Sequence, residues 1–145
     1  MKTKQWESSE DRRNESDVAR ALEHRWACRL HKLPKSYRLD YLCTRSGVAV
    51  AWVEVKCRTH SSDRYDTLML SLSKQLAARE LTQQTGLPSC LVVRFTDDIY
   101  FAPFSRNYAI TMGGRTAKTR DTRDLEPVIQ IPIKEMERLY ETVTD

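Results

Sequence analysis

Apolar positions along this chain change period several times, and each change marks a new element. Within residues 10–25, Val18, Ala19 and Leu22 fall at helical spacing and define one apolar face. Ser8 or Ser9 can cap that helix, with Glu10 and Asp11 placed where carboxylates face its unpaired N–H groups. Residues 1–8 read as a polar arm. Residues 26–33 (WACRLHKL) alternate as a strand, Pro34-Lys35-Ser36 makes a turn, and second and third strands follow over 37–44 and 48–57. After a polar connection over 60–66, Leu68, Met69, Leu70 and Leu72 lead into a helix that starts at Ser71 or Ser73 and runs to Thr85. Gly86-Leu87-Pro88 stops it. Residues 89–95 form a buried strand, and 99–102 its hairpin partner across Thr96-Asp97-Asp98. A short strand over 108–112, an extended run over 128–133 and a closing helix over 134–142 complete the pattern. This order predicts one α/β domain spanning 1–145, with a mixed sheet flanked by helices. Its α-β-β-β-α-β core covers about 10–102, and a C-terminal strand and helix extension follows from about 103.

The hairpin over 37–58 carries the sharpest expectation. If its turn, Arg45-Ser46-Gly47, is centred on Gly47, Asp40 lies opposite Glu54 and Arg38 opposite Lys56. A centre half a residue away puts Asp40 and Glu54 on opposite faces, because side chains alternate with a period of two. The other face of the third strand, Ala49, Ala51, Val53 and Val55, is wholly apolar and predicts a helix packed on it.

Composition changes this picture little. No apolar run approaches the roughly 20 residues that span a bilayer, and no apolar segment follows Met1-Lys2-Thr3-Lys4. A soluble, cytoplasmic protein without a membrane partner is expected (host cytoplasm if the source is viral). The net charge of +4 is a mild bias, but residues 105–123 concentrate Arg106, Arg115, Lys118, Arg120 and Arg123 against Asp121 alone. Such a stretch either tracks phosphates or is a solvated loop. Cys28, Cys43, Cys57 and Cys90 form no CxxC pair, and His24, His31 and His60 show no ligand spacing. Free thiols in a reducing compartment are expected.

The chemistry sits on the hairpin. Two carboxylates brought together repel, and keeping both ionised calls for a cation; hard oxygen ligands favour magnesium or manganese. Lys56, two residues after Glu54, shares its face and can hold a water or neutralise charge on a phosphate in transition. Metal, water and lysine together make a phosphodiester hydrolysis site. The plainer reading is a salt-bridge cluster in which Arg38 and Lys56 neutralise Asp40 and Glu54. Glu15 borders the apolar face of the first helix, where it is either a solvated glutamate or part of this site.

Asp40, thirteen residues, then Glu54-Val55-Lys56 closing a strand resembles the PD-(D/E)XK nuclease superfamily. The helix carrying Glu15-Ser16-Asp17-Val18-Ala19 resembles that of small phage nucleases and archaeal-type Holliday junction resolvases, and Ser71-Leu72-Ser73-Lys74-Gln75 fits the helix after the third strand. The residue before Asp40 is Leu39 where the motif's name has proline. The resemblance implies a restriction-endonuclease-like fold and an Mg²⁺-dependent DNA endonuclease, with Mn²⁺ able to substitute. It implies Asp40, Glu54, the Val55 carbonyl and Glu15 as metal ligands, with Glu23 a weaker substitute for Glu15. Lys56 would position the attacking water, and Lys74 and Gln75 would contact the scissile phosphate or support the site. Arg38, Arg106, Arg115, Lys118 and Arg120 would bind the DNA, double-stranded or branched, in a protein that works as a homodimer in many relatives. A non-catalytic nucleic-acid-binding or assembly module with the same fold, and an exonuclease with the same chemistry, stay open. Tyr65, Tyr100 and Tyr108 either stack on bases or pack against the core, and packing is the simpler account.

Overall fold

The structure is a computed structural model and describes residues 9–113 and 125–139. Helix α1 spans Ser9–Trp26. It ends where Ala27 turns left-handed (φ 51°) and the Cys28 N–H reaches back to the Glu23 carbonyl at 3.1 Å. Strands β1 (Arg29–Lys32), β2 (Tyr41–Arg45) and β3 (Val48–Cys57) form the expected antiparallel meander. Strand β4 (Thr67–Ser71) and helix α2 (Leu72–Thr85) then carry the chain over to β5 (Ser89–Arg94), which runs parallel to β3. Strand β6 (Ile99–Pro103) returns antiparallel to β5, and β9 (Glu137–Arg138) covers its far edge. The main sheet therefore reads β1-β2-β3-β5-β6-β9, with its single parallel pair at the centre. A second, three-stranded sheet joins β4, β8 (Glu126–Pro132) and β7 (Ala109–Gly113) in that order.

Alternation along β3 and β5 divides the interior. Val53, Val55 and Val92 pack with Val18, Ala19 and Leu22 of α1. Trp52, Leu91 and Val93 point the other way, toward Ala78 of α2 and Leu68, Leu70, Ile129 and Ile131 of the small sheet. The apolar face of β3 thus meets a helix, as its sequence predicts. Capping at α2 follows the expected chemistry too: Ser71 accepts from the Ser73 N–H, and Gly86 closes the helix at φ 78° with its N–H on the Thr82 carbonyl. No helix among the described residues is long and apolar enough to cross a membrane.

Four expectations need correction. Residues 37–40 do not belong to the second strand: a 3-10 turn covers Lys35–Tyr37, Arg38 is left-handed (φ 66°), and pairing begins at Tyr41. The apolar run before α2 is a strand, because Thr67–Ser71 finds a partner in β8, far along the chain. The hairpin turn is centred between Ser46 and Gly47, not on Gly47, since Arg45 pairs with Val48. A bulge at Val50 then moves the register half a step, so Cys43 faces Ala51 and Tyr41 faces Val53. Pairing ends there, and Asp40, one residue before the strand, meets β3 through its carboxylate, which accepts from the Val55 N–H at 2.8 Å. Finally, residues 133–139 form no closing helix. A 3-10 turn over Ile133–Glu135 leads into β9, and the Leu139 N–H bonds to the Ile99 carbonyl at 2.8 Å.

Candidate active site

The cleft at the C-terminal end of β3 is lined by Asn14, Glu15, Asp40, Glu54, Val55, Lys56, Cys57, Arg58 and Lys74, and its volume is about 330 Å³. Four segments build it. Position 40 is fixed by its backbone, whose carbonyl accepts from the Leu33 N–H at 2.8 Å, and by its carboxylate, whose Oδ2 accepts from the Val55 N–H at 2.8 Å. Glu54 stands on the central strand with only 1% of its surface exposed. Its Oε2 lies 3.4 Å from both Lys56 Nζ and Lys74 Nζ. Its Oε1 is buried without a hydrogen-bond partner, the single such side-chain atom among the described residues. Glu15 is buried on α1 and paired with Lys32, whose Nζ is also 3.4 Å from Asp40 Oδ1.

Within the cleft, burial acts on Glu54. Removal from water, and then the negative charge of Asp40, push its carboxyl up to about 7, against the pull of Lys56 and Lys74. A buried acceptor oxygen without a donor, and a carboxyl held back from ionising chiefly by burial, mark a position where a bound cation would offset the cost of desolvation.

The structure brings Glu15, Asp40, Glu54, Val55, Lys56 and Lys74 to one cleft. Lys74 also donates to the Arg38 carbonyl at 2.8 Å, which ties α2 to the turn before Asp40. It does not bring Gln75 there: that side chain is buried behind the helix and donates to the Phe104 and Arg106 carbonyls at 3.1 and 3.0 Å. Glu23 accepts from the Leu30 N–H at 2.9 Å and so joins α1 to β1 rather than serving the cleft. Arg38 is not opposite Lys56; it occupies the turn, with its guanidinium 3.4 Å from the Ser73 carbonyl at the mouth of α2. Arg106 holds the Glu135 carbonyl at 2.9 Å, away from the carboxylates. Arg115, Lys118 and Arg120 lie outside the described residues. The four cysteines are free thiols, and burial pushes those of Cys43 and Cys90 up to about 12. Tyr100 packs on Phe95 and Tyr108 donates to the Pro103 carbonyl, whereas Tyr65 is 55% exposed.

Sequence reading missed two cations. Lys32 reaches Glu15 and Asp40 only because β1 runs beside the start of α1, which no local pattern announces. Arg58 was within reach of the period-two rule: it follows Lys56 by two residues, and its N–H extends the ladder to the Arg94 carbonyl at 2.8 Å.

Comparison with known proteins bears on the family and the fold. The model of the family described as phage putative PDDEXK endonuclease matches residues 1–139. No curated protein sequence matches the chain. Among solved structures, the Holliday junction resolvase Hjc of the archaeal hyperthermophile Archaeoglobus fulgidus is similar, with a TM-score of 0.55 and 16% identity over 86% of this chain and 84% of that one. That likeness is one of fold, and the fold is restriction-endonuclease-like.

Proposed function

Since the chain belongs to the phage PDDEXK endonuclease family, we propose that it is a divalent-metal-dependent endonuclease that hydrolyses phosphodiester bonds in double-stranded or branched DNA. The single observation that carries the metal is the buried, unpartnered Oε1 of Glu54 beside Asp40. Among the described residues no three His, Cys, Asp or Glu side chains form a ready-made cage. Mg²⁺ usually keeps several waters and takes one or two carboxylates from the protein. Asp40, Glu54 and the Val55 carbonyl would hold it, with Glu15 through water or at a second position, and Mn²⁺ would serve in its place. When bound, the ion supplies Lewis acidity toward a phosphate oxygen and a water of lowered pKa.

The chain's own groups have separate tasks. The Val55 N–H fixes the Asp40 carboxylate in one rotamer. Lys56, one-third exposed and on the face of Glu54, orients the attacking water and meets charge that grows on the phosphate. Lys74 approaches from α2 and braces the scissile phosphate from the other side, while its bond to the Arg38 carbonyl keeps it in place. Lys32 balances Glu15 and Asp40, so these acids can stay close before any cation arrives.

Substrate choice within this reading follows the similarity of fold to a junction resolvase and favours branched DNA. The test is a panel of supercoiled, linear, four-way-branched and single-stranded DNA, each with Mg²⁺, Mn²⁺ or chelator. We expect cleavage that needs the metal and is fastest on the branched substrate. Equal rates with chelator and with Mg²⁺ would sink the proposal, and faster cutting of unbranched duplex would remove the junction preference.

A further inference from the structure

A second depression adjoins the cleft, with Arg58 forming the wall between them. It has a volume of about 590 Å³, and Arg58, His60, Tyr65, Thr67, Met69 and Gln130 line it. The guanidinium of Arg58 donates to the Cys57 carbonyl at 3.2 Å and approaches the Met69 carbonyl at 3.5 Å. Among the described residues it makes no ion pair with a carboxylate. Burial acts against its charge, and this positively charged group stands between two cavities, held by carbonyls and not by a carboxylate.

Beyond Arg58 the walls become aromatic. The Tyr65 ring stands edge-on to His60, with centroids 5.0 Å apart, and Met69 is 42% exposed beside it. The floor is held firm: Thr67 donates to Gln130 Oε1 at 2.6 Å, and Gln130 donates to Thr111 at 3.1 Å. On the far side of Tyr65, Asp63 and Asp66 line another depression, together with Lys134. The path therefore leads from the lysines of the cleft to Arg58 and then to an aromatic pocket, where the Arg64 guanidinium lies 5.5 Å from the Tyr65 ring centroid. Arg58 suits a phosphate, and the Tyr65 and His60 rings give an unpaired base an aromatic wall to lie against.

We propose that this depression is a nucleotide subsite, in which Arg58 holds the phosphate next to the scissile one and Tyr65, backed by His60, receives the unpaired base attached to it. The inference rests on the nuclease reading and deepens it. It gives the enzyme a physical reason to prefer DNA with unpaired nucleotides at a branch or gap, since a paired base must first leave its stack.

The test uses the full chain in Ca²⁺, which allows binding without turnover, and a gapped duplex carrying 2-aminopurine at the unpaired position beside the cleavage site. Wild-type protein should change the 2-aminopurine fluorescence on binding. Tyr65→Ala should abolish that change and weaken binding to the gapped DNA by about tenfold, in line with the loss of one base–aromatic stack. It should leave the Kd for fully paired duplex unchanged, and Tyr65→Phe should restore both readouts. Arg58→Ala should weaken binding to both DNAs and reduce the steepness of its salt dependence by about one phosphate contact, and Arg58→Lys should recover most of that loss. Thermal melts of Tyr65→Ala should match wild type, because the side chain is largely exposed. Unchanged fluorescence and affinity in Tyr65→Ala would overturn the subsite, while the nuclease reading would stand if Lys56→Ala still abolished cleavage. A wild-type chain that binds neither DNA would overturn both.

Discussion

Glu54 occupies an unusual position for an acid: fully buried, facing two lysines, with one oxygen left without a partner. Its carboxyl rises from an ordinary 4.5 to about 7, chiefly through burial. In the unfolded chain it ionises near 4.5. Between that pH and about 7 the folded protein therefore binds more protons than the unfolded one, and its stability falls as pH rises; above about 7 the loss is complete and level. Glu54→Gln removes the group that titrates. In chelator, thermal melts should show the variant more stable than wild type at pH 8, by on the order of 2–3 kcal/mol, and nearly flat where wild type declines. A variant less stable at pH 8, or with the same pH slope as wild type, would contradict this account of the site. Gain of stability on removing the acid, together with loss of cleavage, is the behaviour expected of a group kept for function.

At the scale of elements, the β2–β3 hairpin decides whether Asp40 and Glu54 meet. Ser46 and Gly47 both have positive φ (49° and 78°), as a two-residue hairpin turn that matches strand twist requires. The Val50 bulge then sets the register in which Tyr41 faces Val53, and Asp40 next to it bonds the Val55 N–H. Gly47→Val places a β-branched residue in that left-handed position; it should lower stability by about 1–2 kcal/mol, several degrees in melting temperature. Nothing lies within 4 Å of a Cβ at Gly47, so the loss is one of backbone strain. A melting temperature equal to wild type would show that the turn does not hold the hairpin.

Much of this was legible. Period two along 48–57, the punctuation at 45–47 and the caps at Ser71 and Gly86 are local signals, and the elements they predict are present. The misses are non-local. Leu68 to Leu70 could not be separated from the helix that follows without knowing that β8 would pair with them. Met136 and Leu139 are three apart, which is helical spacing, yet both are buried along a stretch that covers the open edge of β6. Edge pairing outweighed helix propensity there. Within the site, Glu54 and Lys56 share one face of β3 by the period of two and were readable, whereas Asp40 lies just before β2 and not in it. The tie from Lys32 to Glu15 and Asp40 joins three separate segments and was not.

For the whole molecule, the main sheet acts as a platform. Helix α1 covers one face and delivers Glu15, while α2 and the small sheet cover the other and α2 delivers Lys74. Parallel pairing of β3 with β5 places Glu54 at a buried position of a central strand, which accounts for its raised carboxyl. The cations Lys32, Lys56, Lys74 and Arg58 line or approach the same cleft as the acids. A polyanionic substrate can therefore approach although the net charge is only +4. The most direct test is cleavage of branched DNA in Mg²⁺ by wild type and by Lys56→Ala, with a chelator control and circular dichroism to show that both are folded. The account predicts cutting by wild type, its loss with chelator, and a fall of at least about 100-fold in Lys56→Ala. A folded Lys56→Ala that cuts at the wild-type rate would contradict it.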